Sequence, residues 1–391
     1  MAVNELTVEQ ASTVLNSVVS QATGNSNISA LNGADFATVA QVGLKAGYDP
    51  ILNAIGQVLT RTIFSSRPYT AKFKGVQISR DRWGNIVRKL QLSDQAFDDN
   101  QAFELVDGQS IDMYKVKKPA VKQTNFYGSI TWQKQSPTIY KDQLDVALSN
   151  PGEFAQFYSM IAENVSNQIE QANENMARAI LCNFIAGRIA ENNENCVRHL
   201  VTEYAAAMGI ENKDTVMQPA NFDHFMKWVF AEVATAAQMM TERSSIYHTN
   251  FTGLPIERHT NPGDMRVYLN TPTVFQTNTR VLADAYHDNY LRWADHENVN
   301  FWQSIKSPST INTIPVYMKP DGTLASPETA VNNAKVFGVL FDRDALGYNI
   351  CNEWSAATPF NAAGGYTNLF YHFTHRYWND FTENGIVLLL D

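Results

Sequence analysis

Residues 150–192, NPGEFAQFYSMIAENVSNQIEQANENMARAILCNFIAGRIAEN, carry the clearest secondary-structure signal in this chain of 391 residues. Asn150, Pro151 and Glu153 are residue types preferred at the N-cap and in the first turn of an α-helix. The apolar residues that follow recur every three or four positions: Phe157, Ile161, Val165, Ile169, Ala172, Met176, Ile180 and Phe184. At 1.5 Å per residue, the pattern predicts one helix of about 40 residues and about 60 Å. We expect it to support the elements around it and to end or bend at Gly187.

The segments before residue 67 contain two shorter helical patterns. Residues 8–18 are amphipathic and run into a polar, turn-rich linker at residues 24–33, so we predict an N-terminal arm over residues 1–33. Residues 35–59 again show helical spacing. We expect Asp49-Pro50 to interrupt that helix, because proline disfavours a helical conformation at the residue before it.

Helical periodicity disappears between residues 67 and 137, where charges are segregated instead. Short alternating stretches at residues 76–79, 86–92 and 126–132 predict strands. Residues 71–135 contain 11 of the 30 Lys and Arg residues, in two flanks around an acidic stretch. A segment this polar cannot bury a core of its own. It is either a loop that extends into solvent or a hairpin arm that lies on another subunit.

The second half of the chain mixes one further helix with strands. Asn221 opens an amphipathic pattern that ends near Met240. Residues 274–286 also have helical spacing. Strands are predicted at residues 265–270, 314–318, 336–341, 345–351 and 369–390, with a turn at residues 342–344 and a tight turn at Asn384-Gly385 before the last strand.

The composition excludes several classes of protein. The chain is 44% hydrophobic and 11% aromatic, which is too apolar for a disordered protein. Its net charge of −9 argues against a protein that binds many phosphates. We expect no membrane span and no signal peptide, because no apolar run is long enough. Three cysteines without a CxxC pair indicate neither a disulfide scaffold nor a cysteine zinc site.

No common phosphate, dinucleotide, hydrolase, zinc-protease or calcium motif occurs in the sequence. Cys196 lies near His199, which suggests a nucleophile–base pair, but nothing beside them resembles an oxyanion turn. His372 and His375 are three residues apart in a predicted strand and therefore point to opposite faces. We interpret both as histidines with satisfied polar neighbours in a sheet.

A second group of histidines could in principle bind a metal ion. His287-Asp288 and Asp295-His296 supply nitrogen and carboxylate ligands, but their spacing matches no standard site, and a polar surface helix explains them equally well. We therefore predict no catalytic residue, no cofactor and no metal. A soluble metal-dependent hydrolase using His287, Asp288 and His296 is kept as an alternative.

The order of these parts resembles the major capsid protein of tailed bacteriophages, a fold shared with herpesviruses and encapsulins. Residues 37–43 (ATVAQVG) through 67–79 (RPYTAKFKGVQIS) are similar to the lead-in to the extended loop in capsid proteins of small short-tailed phages (podophages). Residues 336–349 (VFGVLFDRDALGYN) resemble their strand–Asp–turn–strand unit. Residues 369–389 (LFYHFTHRYWNDFTENGIVLL) resemble their aromatic closing strands.

The resemblance implies an α+β fold with an N-arm, an extended β-hairpin loop, a long spine helix, a peripheral domain and an axial domain. Residues 1–33 would be the N-arm and 67–137 the extended loop. Residues 34–66 and 138–215 would form the peripheral domain, with the spine helix at about 151–192. Residues 216–330 would form the axial domain, and 331–391 closing strands shared by both domains.

The same resemblance implies a structural protein rather than an enzyme. It would assemble in the host cell cytoplasm as homo-pentamers and homo-hexamers into an icosahedral shell, the virion capsid, that encloses double-stranded DNA without sequence-specific binding. Implied partners are a separate scaffolding protein, because the family's scaffolding extension is missing, a portal protein, and decoration or head-fibre proteins. An encapsulin-type nanocompartment is the alternative within this fold.

The charged residues of the extended loop are the candidate intersubunit contact. Basic and acidic blocks can set the register between subunits through complementary patches. The predicted contact residues are Lys72, Lys74, Arg80, Arg82, Arg88, Lys89, Asp98, Asp99, Glu104, Lys115, Lys117 and Lys118.

Overall fold

The computed structural model describes most of the chain. The described residues are 8–24, 30, 33–45, 47, 49–51, 54–55, 72–77, 87–92, 106–110, 114, 116, 118, 121–135, 138–250, 256–280, 296–319 and 321–391. Its helices are α1 (Val8–Thr23), α2 (Gly33–Lys45), α3 (Lys141–Ala147), α4 (Pro151–Glu191), α5 (Leu200–Met208), α6 (Phe222–Met239) and α7 (Thr271–Arg280). None of the helices in these ranges combines the length and apolarity needed to cross a bilayer.

The strands are numbered in chain order. They are β1 (Val87–Leu92), β2 (Val121–Phe126), β3 (Ser129–Gln135), β4 (Ile139–Tyr140), β5 (Val197–His199), β6 (Met265–Asn270), β7 (Glu297–Val299) and β8 (Ile311–Thr313). They continue with β9 (Tyr317–Met318), β10 (Leu324–Ala325), β11 (Val331–Asn333), β12 (Val336–Asp342), β13 (Leu346–Ala357), β14 (Tyr366–Thr367), β15 (Leu369–Asn379) and β16 (Gly385–Leu389).

The long helix α4 confirms the first prediction from the sequence. Asn150 caps it, since its side-chain Oδ1 accepts a hydrogen bond from the Gly152 N–H at 3.0 Å. Pro151 occupies the first turn, where its missing N–H costs nothing. The helix ends at Asn192, which has a left-handed φ of 53° that asparagine tolerates better than most residues.

Gly187 does not end α4, so that part of the expectation is wrong. Helical hydrogen bonding continues to Glu191. A Cβ atom at residue 187 would lie 2.6 Å from Cζ of Phe381, closer than real Cβ contacts. The glycine is present because the Phe381 ring packs directly on the helix backbone, a reason that local sequence does not reveal.

Two core clusters enclose a five-stranded sheet in the order β5-β16-β12-β6-β7. Every residue of β12 and β16 is buried. In β16, Val387 and Leu389 join the cluster around α4, while Ile386 and Leu388 join the cluster with α5 and α6. The sheet therefore lies between α4 on one face and the α5–α6 pair on the other.

A three-stranded sheet, β13-β15-β3, packs on the other part of α4. The amphipathic stretch predicted within an N-terminal arm is helix α1, which packs on α2 and α4 of its own chain through Ala11, Leu15 and Val18. Helix α2 ends at Lys45 and helical residues resume at Asp49, so the predicted interruption falls just before Asp49-Pro50. Gly47, with a φ of 107°, makes the break.

Several predicted strand boundaries need correction. Val76 lies in a short 3₁₀ helix (Lys74–Val76) rather than a strand. Only Tyr317 and Met318 of residues 314–318 form a strand, because the side chain of Asn183 bonds both the N–H and the carbonyl of Val316. Helix α7 begins at Thr271 instead of Val274.

The turn predicted at Asn384-Gly385 lies slightly earlier. The Asp380 carboxylate accepts hydrogen bonds from the N–H and the hydroxyl of Thr382, which fixes the turn at residues 380–384. Gly385 is already the first residue of β16. Since β15 and β16 belong to different sheets, this turn links two sheets and is not a hairpin turn.

Candidate assembly site

Strands β1 and β2 form a two-stranded ribbon within the segment predicted as the extended loop. They pair antiparallel, from Val87 opposite Phe126 to Leu92 opposite Val121. Directly opposed residues of antiparallel strands share a face, so the ribbon has two faces of different character. The outer face consists of exposed residues: Arg88, Leu90, Leu92, Val121, Gln123 and Asn125. The inner face carries Lys89 and Gln91.

Three of the six outer-face residues are large and apolar. Leu90, Leu92 and Val121 are 64%, 58% and 63% exposed. Adjacent parts of the loop are also exposed and apolar, with Tyr114 and Val116 at 84% and 76%. Clustered exposed apolar residues of this kind mark interaction surfaces in soluble proteins.

The inner face docks on residues 380–384, which we call the docking turn. Lys89 Nζ bonds the carboxylates of both Asp380 and Glu383. It also lies 3.1 Å from Thr382 Oγ1, which accepts a second hydrogen bond from Gln91 Nε2 at 2.7 Å. The ribbon root is thus attached to the protein body by a compact polar cluster.

The docking turn is in turn fixed by α4. Arg188, which is fully buried, donates through Nη2 to the carbonyls of Phe381 at 3.1 Å and Glu383 at 2.9 Å. Its guanidinium lies beside the stacked rings of Phe184 and Phe381, 5.2 and 5.3 Å from their centroids. The ribbon, the docking turn and the long helix therefore form one connected unit.

Burial and charge oppose each other at Glu383. Burial raises the pKa of its carboxyl above the ordinary value, while the positive charges of Lys89 and Arg258 favour the ionised form. Arg258 Nη1 lies 3.7 Å from Glu383 Oε1. Two cations therefore compensate a carboxylate that would otherwise be costly to bury.

The predicted contact residues differ in exposure and in whether they already have a partner within the chain. Lys72, Arg88 and Lys118 are exposed, and Lys74 lies in the short 3₁₀ helix. Lys89 is bonded within its own chain. Seven others lie outside the described residues: Arg80, Arg82, Asp98, Asp99, Glu104, Lys115 and Lys117. The assignment of this set as an intersubunit contact stays a prediction.

Sequence reasoning missed the docking turn. The sequence did contain a signal for this turn at Asp380, Thr382 and Glu383. An Asp followed two residues later by a Thr is typical of a turn that is stabilised by side-chain hydrogen bonds. The period of two in a strand also places Arg88 and Lys89 on opposite faces, which predicts that one of them points inward.

The histidines have structural partners. His375 is fully buried, accepts a hydrogen bond from Trp132 Nε1 at 2.9 Å, and lies 2.7 Å from Asn173 Oδ1 on α4. Burial lowers the pKa of His375 to about 4, so the ring is neutral at pH 7. His372 stacks instead on Trp354, 3.9 Å between ring centroids, which confirms that the two histidines point to opposite faces.

The suggested cysteine–histidine pair does not form. Cys196 is fully buried, and burial raises the pKa of its thiol. The ring Nδ1 of His199 lies 2.5 Å from the carboxylate of Asp391. His287 and Asp288 lie outside the described residues, and within the described ranges no group of three or more potential ligands could hold a metal ion.

Comparison with solved structures defines the fold as that of tailed-phage capsid proteins. The chain is similar to one in the capsid structure of Staphylococcus phage Andhra, with a TM-score of 0.53 and 11% identity over 83% of this chain and 86% of that one. It is also similar to a chain in the structure of the head fibre and inner core protein gp22 of native bacteriophage P68, with a TM-score of 0.52 and 10% identity over 82% and 85% of the two chains.

Residues 15–389 match the family model of the Phi29-like phage major capsid protein, and the chain belongs to that family. A search of curated proteins found no match. The chain is therefore a structural protein of the virion capsid, and not an enzyme, as the resemblance implied. The family also favours a phage capsid over the encapsulin and hydrolase alternatives.

Proposed function

We propose that this protein forms pentamers and hexamers that build an icosahedral shell around a double-stranded DNA genome, with the ribbon and its loop as an intersubunit contact. The observation that carries the proposal is the outer face of the ribbon, which presents Leu90, Leu92 and Val121 to solvent. A chain that assembles with copies of itself can cover this face with a neighbour.

The attachment of the ribbon supports the same proposal. Its inner face is held by Lys89 and Gln91 on the docking turn, so the outer face is presented in a fixed orientation. Presentation from a rigid base reduces the ordering cost of association. The acidic net charge of −9 suits a container whose wall must not hold the genome tightly.

The finer organisation is also part of the proposal. Residues 34–66 and 138–215 form a peripheral domain, 216–330 an axial domain, and 331–391 the strands shared between them. Assembly in the host cytoplasm uses a separate scaffolding protein and a portal protein, and decoration or head-fibre proteins attach to the finished shell. The sequence similarities to podophage capsid proteins support a source among short-tailed phages.

A loop replacement tests the contact. Residues 78–118 are replaced by a short Gly/Ser turn, and assembly is followed by sedimentation velocity and negative-stain microscopy. We expect a soluble protein with native circular dichroism that forms neither capsomers nor shells, because the interacting surface is gone. Normal shells from this variant would overturn the proposal.

A further inference from the structure

The ribbon depends on its attachment for its order. Its two strands have six residues each, and an isolated two-stranded ribbon is marginally stable in water. On its inner face, Lys89 and Gln91 both bond side chains of the docking turn. The orientation of the ribbon therefore follows the position of that turn, and the backbone of the turn must itself be fixed.

Arg188 bonds the docking turn through main-chain atoms. Its Nη2 donates to the carbonyl oxygens of Phe381 and Glu383. Glu383 thus contributes its carbonyl to Arg188 and its carboxylate to Lys89. A single residue of the turn therefore links the buried guanidinium on α4 with the root of the ribbon.

The same guanidinium also binds the segment between α6 and β6. Its Nη1 donates to Thr249 Oγ1 at 2.9 Å and to Glu191 Oε2 at 3.0 Å. The Thr249 hydroxyl donates to the Glu191 carboxylate, and the Thr249 N–H donates to the Phe381 carbonyl at 2.8 Å. Arg188 therefore lies where α4, residue 249 and the docking turn meet.

Only an arginine side chain matches this set of partners. The guanidinium donates to four acceptors, two through each terminal nitrogen. A planar guanidinium has five N–H donors in a fixed arrangement, whereas a lysine ammonium has three on a flexible stem. A lysine in place of Arg188 would keep the positive charge and lose at least one of the hydrogen bonds that hold the turn.

We propose that Arg188 is the positioning residue of the ribbon. Its guanidinium fixes the backbone of the docking turn, the turn fixes Lys89 and Gln91, and these two residues hold the outer face in the orientation in which copies meet. Pre-organisation of this kind lowers the ordering cost of association. The inference rests on the proposed function, in which the ribbon is an intersubunit contact, and names the residue that prepares this contact.

Hydrogen exchange of the unassembled full chain at pH 7 tests the positioning. In Arg188→Lys we expect the amides of residues 87–92 and 121–126 to exchange about tenfold faster, because the ribbon opens locally without global unfolding. Amides of β12, inside the central sheet, report global unfolding. Arg188→Gln, which also lacks the guanidinium, is a second variant, and circular dichroism verifies that both are folded.

Arg178→Lys is the matched control. Arg178 is a second buried arginine on α4, bonded to Glu174 and to the carbonyl of Phe301. Its hydrogen bonds within the described residues reach neither the ribbon nor the docking turn, so the ribbon amides should keep the unmodified rate. Equal acceleration of these amides by Arg178→Lys and Arg188→Lys would overturn the proposal, as would unmodified rates in both Arg188 variants.

Assembly separates this inference from the proposed function. The concentration needed for assembly, measured by sedimentation velocity, should rise about tenfold for Arg188→Lys and stay unchanged for Arg178→Lys. A ribbon that keeps its protection in Arg188→Lys overturns positioning by Arg188 and leaves the proposed function intact. A released ribbon in a variant that assembles like the unmodified protein would instead refute the ribbon as an intersubunit contact.

Discussion

Lys89 should be the residue on which attachment of the ribbon depends. Its ammonium lies between Asp380 and Glu383, whose side chains are only 5% and 11% exposed. Lys89→Met keeps the aliphatic stem and removes the cation, which leaves two buried carboxylates under-compensated. Loss of one partner from a buried ion pair costs about 3–5 kcal/mol. Because a fifth of the Lys89 side chain is solvent-exposed and Arg258 still faces Glu383, we expect about 3 kcal/mol.

Urea unfolding of the unassembled subunit at pH 7, followed by tryptophan fluorescence, measures this loss. Arg88→Met is the matched control, since the neighbouring side chain is exposed on the outer face and should change the free energy of unfolding by less than about 0.5 kcal/mol. Adding Glu383→Gln to Lys89→Met should recover much of the loss by removing one uncompensated charge.

The pH dependence gives a further check. The pKa of Glu383 is raised in the folded protein, so the folded state binds a proton more readily than the unfolded state. The stability this contributes is present at low pH and is lost as pH rises through the folded pKa. The penalty of Lys89→Met should therefore be smaller at pH 5 than at pH 7. Equal unfolding free energies for Lys89→Met and Arg88→Met at pH 7 would refute the reasoning.

Four other substitutions test parts of the fold. Burial lowers the pKa of His375 to about 4, so stability present above the unfolded pKa near 6.5 is lost toward pH 4, by up to about 3 kcal/mol; His375→Gln should flatten the dependence of urea midpoints on pH between 7 and 4.5. Gly187→Ala should lower Tm, because overpacking against Phe381, about 1–3 kcal/mol, exceeds a helix-propensity gain of about 1 kcal/mol. Gly152→Ala, whose nearest neighbour is 3.7 Å away, should not lower it. Asn150→Ala should cost about 1 kcal/mol in urea unfolding through loss of the cap.

Features set by neighbouring residues could be predicted from the sequence. The start of α4 follows from the Asn150-Pro151 cap, its length from the apolar spacing, and β12 from a continuous apolar run. The glycine at residue 187 could not be explained this way, because its reason is Phe381, which reaches α4 only through the tertiary fold.

In the candidate site, too, some features could be predicted from the sequence and others could not. Charge segregation between residues 71 and 135 indicated a segment that needs a surface to lie on. It could not show that Lys89 is bonded within its own chain, because Asp380 and Glu383 come together with it only after β15 and β16 are in place. The exposed apolar face of the ribbon was also missed, because strand alternation places Leu90 and Leu92 on one face without showing whether that face is covered.

The position of β16 has a consequence for synthesis. This strand pairs with β12 on one side and with β5, formed much earlier in the chain, on the other. Pairings between residues so distant in sequence form slowly. Until residue 389 leaves the ribosome, β5 has no neighbour in the sheet and one edge of β12 remains unpaired. The unpaired β5 and the open edge of β12 are therefore sites for non-native strand pairing until the last strand is made.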